Sequence, residues 1–364
     1  MIRAVFLLLP VCLICFTLIS CTSDQDSKTE TAGLVRTGEV VINNSIDQPE
    51  SIVKGMYGPA ADSLVFGMDL RRKLPYRLNL SNGEFTFLGA SGRGPQELTL
   101  PSQIAVKSND ELFVYDTALD QISHFKGEHI AEKKPGYLEQ GIWLRHTRGF
   151  YRDGMLITSA KEPVHLNALR FDRARPVAIM NLETGEAEQV GEFSPTLDKL
   201  DSFLKYPYLA LDDENGLIYY VFNTDHTVMR YSLESDQSDV VSDIRPSTFR
   251  TRTMPFDHNN PYHFSQQFSR KLAMDLTRVS DVGIVNDFLV VVWHHANEAI
   301  MESAYFDSQN YDHFGIAYSL PDFDRAWQFS LPGPLLGFWN DHLLIEENDD
   351  VMEYTIGFYN IRFR

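Results

Sequence analysis

Residues 89–127, GASGRGPQELTLPSQIAVKSNDELFVYDTALDQISHFKG, decide the fold. They read as a Gly-Pro loop followed by three short strands, Gln103–Val106, Glu111–Asp116 and Gln121–Lys126. Turn-forming tetrapeptides at 107–110 and 117–120 separate the strands. In the middle strand Leu112 and Val114 alternate with Phe113 and Tyr115, so both faces are apolar. A meander this small cannot bury two faces alone. It needs copies of itself on either side, which is the logic of a repeat protein.

The copies are legible outward from that stretch. Asn79-Leu-Ser-Asn-Gly-Glu84 and Asn181-Leu-Glu-Thr-Gly-Glu186 match, and each is followed by a short strand. Related segments begin at Tyr231-Ser-Leu-Glu and Tyr318-Ser-Leu-Pro, and His124-Phe-Lys-Gly-Glu128 is the equivalent in the second unit. A period near 50 residues with four short strands per unit is the spacing of propeller blades. Six units follow, at about 52–89, 89–127, 146–191, 206–242, 279–331 and 334–363. The expected fold is all-β: a six-bladed β-propeller with four-stranded antiparallel blades. Exposed edges would invite pairing with other chains. The alternating strand Glu39–Asn43 is therefore expected to close the ring by joining the last blade, beside Thr355–Phe363. One helix is expected, Phe268–Thr277, inside a long insertion at 246–280.

The termini carry an address. Arg3 precedes the apolar run Val5–Ile19, which is too short for a comfortable membrane span. The run ends in Leu18-Ile19-Ser20-Cys21, which resembles the lipobox of bacterial lipoproteins. That resemblance implies cleavage before Cys21 and acylation of its thiol and new amino group, a stable membrane anchor. Residues 1–20 are read as the signal peptide, 21–34 as a lipidated tether and 35–364 as the propeller domain. Thr22 rather than Asp follows Cys21, which makes the outer membrane the expected address, with periplasmic and surface-facing placements both open. All three cysteines (Cys12, Cys15, Cys21) fall in or at the end of the leader, so no disulfide framework or thiol nucleophile is expected in the domain. The net charge of −18 leaves no basic stripe to neutralise phosphates, which argues against nucleic acid as a partner.

The repeat unit itself has relatives. Asp110-Glu-Leu-Phe-Val-Tyr-Asp116, followed by Gln121-Ile-Ser-His-Phe-Lys-Gly127, resembles an NHL-type propeller blade. The loop Gly92-Arg-Gly-Pro-Gln-Glu97 resembles that of the TolB-like six-bladed β-propeller lipoproteins. The resemblance implies a cell-envelope binding domain and brings no catalytic residues.

Candidate sites lie mostly in the insertion, because long loops on a rigid scaffold tend to carry binding. His258 and His263, among Phe256, Tyr262 and Phe264, are candidate ligand-binding residues. Arg250 and Arg252 beside Arg245 form a basic cluster suited to a carboxylate or sulfate. His294 is a further candidate ligand-binding residue; with His295 and Glu298 it is read as lying in a loop, and adjacent histidines on a strand would point to opposite faces and could not share one metal. Asp212-Asp213-Glu214-Asn215 reads as a turn rather than a calcium loop. The glycines at 89, 92 and 94 lack the spacing and the Lys-Ser/Thr of a phosphate cradle. No hydrolase or zinc-protease motif occurs. No metal or cofactor is assigned. The expected function is a lipid-anchored binding module for a protein partner or an envelope glycan. The alternative is a polysaccharide hydrolase or lyase acting at the mouth of the channel.

Overall fold

The computed structural model describes residues 29–43, 56, 63–69, 72–137, 143–144, 148–161, 175–197, 206–251, 265–303, 310–349 and 353–363. β1 (Glu30–Asn43) comes first. β2 (Leu64–Asp69), β3 (Leu74–Asn79) and β4 (Phe85–Phe87) form the first sheet, and β5 (Ala90–Ser91) pairs with β6 (Glu97–Leu98) in the loop after it. The second sheet is β7 (Pro101–Val106), β8 (Glu111–Asp116), β9 (Gln121–Lys126) and β10 (His129–Pro135). β11 (Trp143–Leu144) precedes the third, made of β12 (Gly149–Arg152), β13 (Met155–Lys161), β14 (Val177–Asn181) and β15 (Ala187–Val190). The fourth is β16 (Pro207–Asp212), β17 (Leu217–Phe222), β18 (Val228–Ser232) and β19 (Gln237–Ser242). After α1 (Gln266–Asp275) comes the fifth: β20 (Arg278–Val285), β21 (Phe288–Ala296), β22 (Tyr311–Ser319) and β23 (Ala326–Leu331). The last sheet is β24 (Leu335–Trp339), β25 (His342–Asp349) and β26 (Glu353–Phe363), and β1 lies antiparallel to β26 as its fourth strand.

The repeated peptides form one repeated turn. In four sheets the residue ending the last strand but one accepts a hydrogen bond from the N–H four positions on: Asn79 from Gly83, Asn181 from Gly185, Ser232 from Asp236 and Ser319 from Phe323, at 2.8–3.0 Å. The donor residue has φ of +71°, +74°, +55° and +56° respectively. Glycine takes this left-handed conformation at no steric cost. At Asp236 the Tyr231 hydroxyl donates to Oδ1 at 2.7 Å and holds it there. Tyr115 does the same for Asp120 (φ +47°) at 2.9 Å. The second sheet shortens this hairpin to Gly127-Glu128.

Each sheet buries both faces, each against a different neighbour. Leu112 and Val114 pack with Phe66 and Met68 of the first sheet. Phe113 and Tyr115, pointing the other way, pack with Leu156 and Met180 of the third. Further cores join third to fourth (Ile179, Tyr220), fourth to fifth (Tyr219, Trp293) and fifth to sixth (Val292, Ile345). A sixth joins the last sheet to the first through Ile42, Ile356, Met56 and Tyr76. Each large side chain so buried contributes about 1.5–3 kcal/mol.

First strands of different sheets also meet edge to edge. β7 and β12 pair in parallel at Ala105–Gly149, and Met56 bridges to Gly337 in parallel. Gly337 is required there, because a Cβ would overlap the Met56 carbonyl oxygen. Arg148, just before β12, donates to the carbonyls of Leu209 (β16) at 3.2 Å and Val282 (β20) at 2.6 Å. Its guanidinium also lies over the rings of Phe150 (β12) and Phe338 (β24). One side chain thus ties four first strands together and satisfies carbonyls that no further strand pairs with.

Two expectations need correction. β1 begins at Glu30, so residues 30–34 of the expected 21–34 tether are already strand. Ala32 is buried and Leu34 packs on the same core, an apolar alternation masked by the polar residues between. His294 and His295 are not in a loop: β21 continues to Ala296, paired with β22 as far as Tyr311.

Candidate binding face

The antiparallel meanders place connections of two kinds at opposite ends. First-to-second and third-to-fourth strands are joined at one end, where no turn between described strands exceeds six residues. The other end carries second-to-third connections and the links between sheets. There the segments 88–100, 136–148, 162–176, 191–206, 243–277 and 297–310 are long. Two candidate residues, Arg250 and His294, are placed at this long-connection end. Cys21, Arg252, His258 and His263 lie outside the described residues; Arg250 and His294 are within them.

Arg250 is committed to structure. Its Nη1 donates to the Met274 carbonyl at 2.9 Å, near the end of α1, and approaches the Ala296 carbonyl at the end of β21 at 3.5 Å. Its main-chain N–H donates to Thr277 Oγ1 at 2.8 Å. α1 itself starts at Ser265, whose hydroxyl caps the Phe268 N–H. Its Ala273 packs with Ala296 and with Ile300 of the short 3-10 helix Glu298–Met301. The described parts of the insertion, up to Thr251 and from Ser265, therefore pack against the end of the fifth sheet.

The histidines divide by strand alternation. His294 stands opposite His313, their rings 5.8 Å apart, with the Tyr311 ring edge-on at 5.0 Å. His295 points the other way, only 4% exposed, beside Phe314 and 3.8 Å from Asp312. Burial first, and the Arg250 charge second, push the His295 imidazole down to about 4, against the opposing pull of Asp312. It is neutral at physiological pH. The two neighbours thus belong to different interfaces, and among the described residues no group of three His, Cys, Asp or Glu is placed to hold a metal ion.

A second polar cluster lies between the third and fourth sheets. Asp225, 4% exposed, accepts from Thr196 Oγ1 at 2.8 Å, from the His226 N–H at 2.8 Å and from Thr227. Thr196 Oγ1 also meets Thr227 Oγ1 at 2.6 Å and Ser194 Oγ at 2.8 Å. The hydroxyls bond the carboxylate itself, and His226 Nδ1 stands 3.6 Å from it, so there is no hydroxyl–imidazole–carboxylate relay. The His226 imidazole is pushed down by burial, against Asp225. The cluster fastens the link 191–206 to the turn after β17. Neither it nor Arg148 carries a local sequence signal, because Thr196 and Asp225 are 29 positions apart and Arg148 bonds carbonyls 61 and 134 positions away.

The glycine loop also proves architectural. Gln96 pairs like a strand with Ile130 of β10, donating to its carbonyl at 2.7 Å and accepting from its N–H at 2.8 Å. Glu97 accepts from the Gly94 N–H at 2.6 Å, and Lys133 donates to the carbonyls of Gly94 and Glu97. Asp116 accepts from the N–H groups of Thr99, Leu100, Ala118 and Leu119. These are positions where a phosphate site would have left donors open.

No protein-family model matches the sequence. No curated protein matches it. Solved structures do. A member of the DUF4221 family from Bacteroides vulgatus has a TM-score of 0.70 at 12% identity, covering 93% of this chain and 100% of that one. A protein assigned as exported, from Bacteroides fragilis, has a TM-score of 0.58 at 11% identity, over 91% and 96% of the two chains. The calcium-binding protein regucalcin from Agrobacterium tumefaciens has a TM-score of 0.50 at 11% identity, over 92% and 97%. At these identities the likeness is one of fold: this chain has an all-β, β-propeller-like architecture.

Proposed function

We propose that the chain is a lipid-anchored, six-bladed β-propeller of the bacterial cell envelope that binds a protein partner or an envelope glycan through its long-connection end. The six apolar cores, each between two consecutive sheets and the last between final and first, support a closed ring of six blades. β1 as the fourth strand of the last blade supports its closure. The sequences of the loop 92–97 and of the second blade resemble those of the TolB-like and NHL-type propellers, and the fold shared with an exported Bacteroides protein agrees with an envelope address.

The observation that carries the binding reading is the asymmetry of the two ends. One end is all tight turns, and the other gathers the long connections that a rigid scaffold presents to ligands. Arg148 spends its guanidinium on two strand carbonyls and the rings of Phe150 and Phe338, a structural role that favours binding over the hydrolase or lyase alternative.

A thermal-shift screen of the Cys21→Ser chain against envelope glycan fragments and envelope protein extracts tests this. A ligand that binds the native state raises the melting temperature. A shift abolished by changes at Ala118 or Ala299, at the long-connection end, and retained on changes at Ser235 or Asp322, at the hairpin end, supports the reading. The reverse pattern refutes it.

A further inference from the structure

Resting on the lipid anchor just proposed, we infer that the propeller stands with its hairpin end toward the membrane and its long-connection end turned away. The hairpin end faces the headgroup surface that holds the lipid. The inference comes from where the chain enters the domain. β1 runs antiparallel to β26, from Ala32 opposite Phe363 to Asn43 opposite Glu353, so its first residue lies at the hairpin end. Glu30 and Thr31 also pair in parallel with Trp327 and Gln328, at the start of β23 just after the turn 320–325. The entry point is firmly held. Glu30 Oε2 accepts from the Trp327 indole N–H at 2.8 Å. Trp327, Phe288 and Phe363 pack ring against ring, with centroids 4.4–5.6 Å apart.

Only eight residues, 22–29, separate Cys21 from Glu30. Fully extended they reach about 30 Å, so the lipid cannot pass round the domain and surface at its opposite end with slack to spare. Charge then sets the stand-off. Every sheet carries an acid in its turns at the hairpin end: Glu84, Glu128, Glu186, Asp213, Asp324 and Asp341. Facing anionic headgroups, these acids oppose flat adhesion within a screening length of about 8 Å. The hairpin end is therefore the near side without being an inserted one, and the candidate binding face projects into the space beyond.

The test uses the full-length lipidated protein in phosphatidylethanolamine–phosphatidylglycerol vesicles bearing a headgroup energy-transfer acceptor. The mature chain has no thiol besides the acylated Cys21, so single donors can be placed by Ser235→Cys or Asp322→Cys at the hairpin end and Ala118→Cys or Ala299→Cys at the other. Transfer severalfold more efficient from the hairpin-end donors is expected; equal or reversed transfer overturns the inference. A flexible Gly-Ser insertion between Asp26 and Ser27 must bring the two values together while acylation persists, and a preference that survives the insertion also overturns it. Cys21→Ser reports separately: if that variant still associates with vesicles, the anchoring reading fails whatever the transfer ratio.

Discussion

The two ends of the sheets are built on different principles. At the hairpin end, structure follows from neighbours in sequence: a tyrosine five positions before a left-handed aspartate, a glycine where φ must be positive, one turn geometry recurring from sheet to sheet. In the long connections, order depends on residues far apart. Arg148 reaches Val282, Gln96 reaches Ile130, and Thr196 reaches Asp225. Local rules produce a cheap, repeatable end, and one-off long-range contacts produce an end that can be reshaped for a ligand without disturbing the repeats. The comparison predicts that single changes at long-range contacts cost more than single changes in hairpin turns.

Arg148→Met is expected to have the largest effect. It keeps the apolar stem but removes two charged hydrogen bonds that satisfy strand carbonyls, at a cost of about 3 kcal/mol. Urea denaturation should show a lower midpoint. A loss no greater than that of a hairpin-turn variant would erase the distinction between the two ends.

The same distinction explains what the sequence reveals. Three strands of the second sheet were legible almost residue for residue, because alternation along Glu111–Asp116 and the turn chemistry around it act within a few positions, whereas β10 lay past the expected end of the unit at Gly127. The repeats at Asn79, Asn181, Ser232 and Ser319 were legible for the same reason. The start of β1 was not, because Ala32 and Leu34 acquire their core only from β23 and β26, some 300 positions away. His294 and His295 were assigned to a loop because polar residues ended an apolar run; pairing with β22 carried the strand past them. Arg250 looked like a ligand cation, since sequence cannot show that the carbonyls of Met274 and Ala296 lie beside its guanidinium.

His295 provides the next effect, at the long-connection end. Its folded pKa of about 4 lies below the 6.5 of the unfolded chain, so the unfolded state binds the extra proton between those values and stability falls as pH drops through that window. At a pH of about 5 the loss amounts to about 2 kcal/mol. His295→Gln should flatten the slope of stability against pH there. A slope unchanged by the substitution would mean that another group carries the titration. Arg250→Ala should raise the His295 pKa, read by NMR, because the guanidinium is one of the two causes that depress it.

Gly154→Ala probes the hairpin end in isolation. Gly154 sits at φ +81° between β12 and β13, and an added Cβ would meet nothing within 4 Å. The cost is therefore backbone strain alone, about 1–2 kcal/mol. Its melting curve should shift by less than that of Arg148→Met and leave every other turn intact by hydrogen exchange. A loss equal to that of Arg148→Met would show that one turn governs more than its own sheet.

The smallest effect belongs to the latch that holds β1 along its length, away from either end. Arg36 lays Nε and Nη2 on the two oxygens of Glu347 at 2.7 and 2.6 Å, and the Tyr359 hydroxyl adds a third bond at 2.5 Å. The Arg36 guanidinium, the first of these influences, and the Tyr359 hydroxyl hold the Glu347 carboxyl below its ordinary value of 4.5. A carboxylate with a depressed folded pKa stabilises the native state above the unfolded pKa, and that contribution disappears as pH falls through the folded value. The difference in melting temperature between the native chain and Glu347→Gln should thus be present at neutral pH and close in acid below the ordinary glutamate range. It should shrink with added salt, since the pair is largely solvent-exposed. Glu347 touches neither Arg148 nor Gly154, so Glu347→Gln combined with either change should simply add. A double variant that departs from additivity would mean that β1 transmits strain between the two ends, making the strap that closes the last sheet a coupling element as well as a seam.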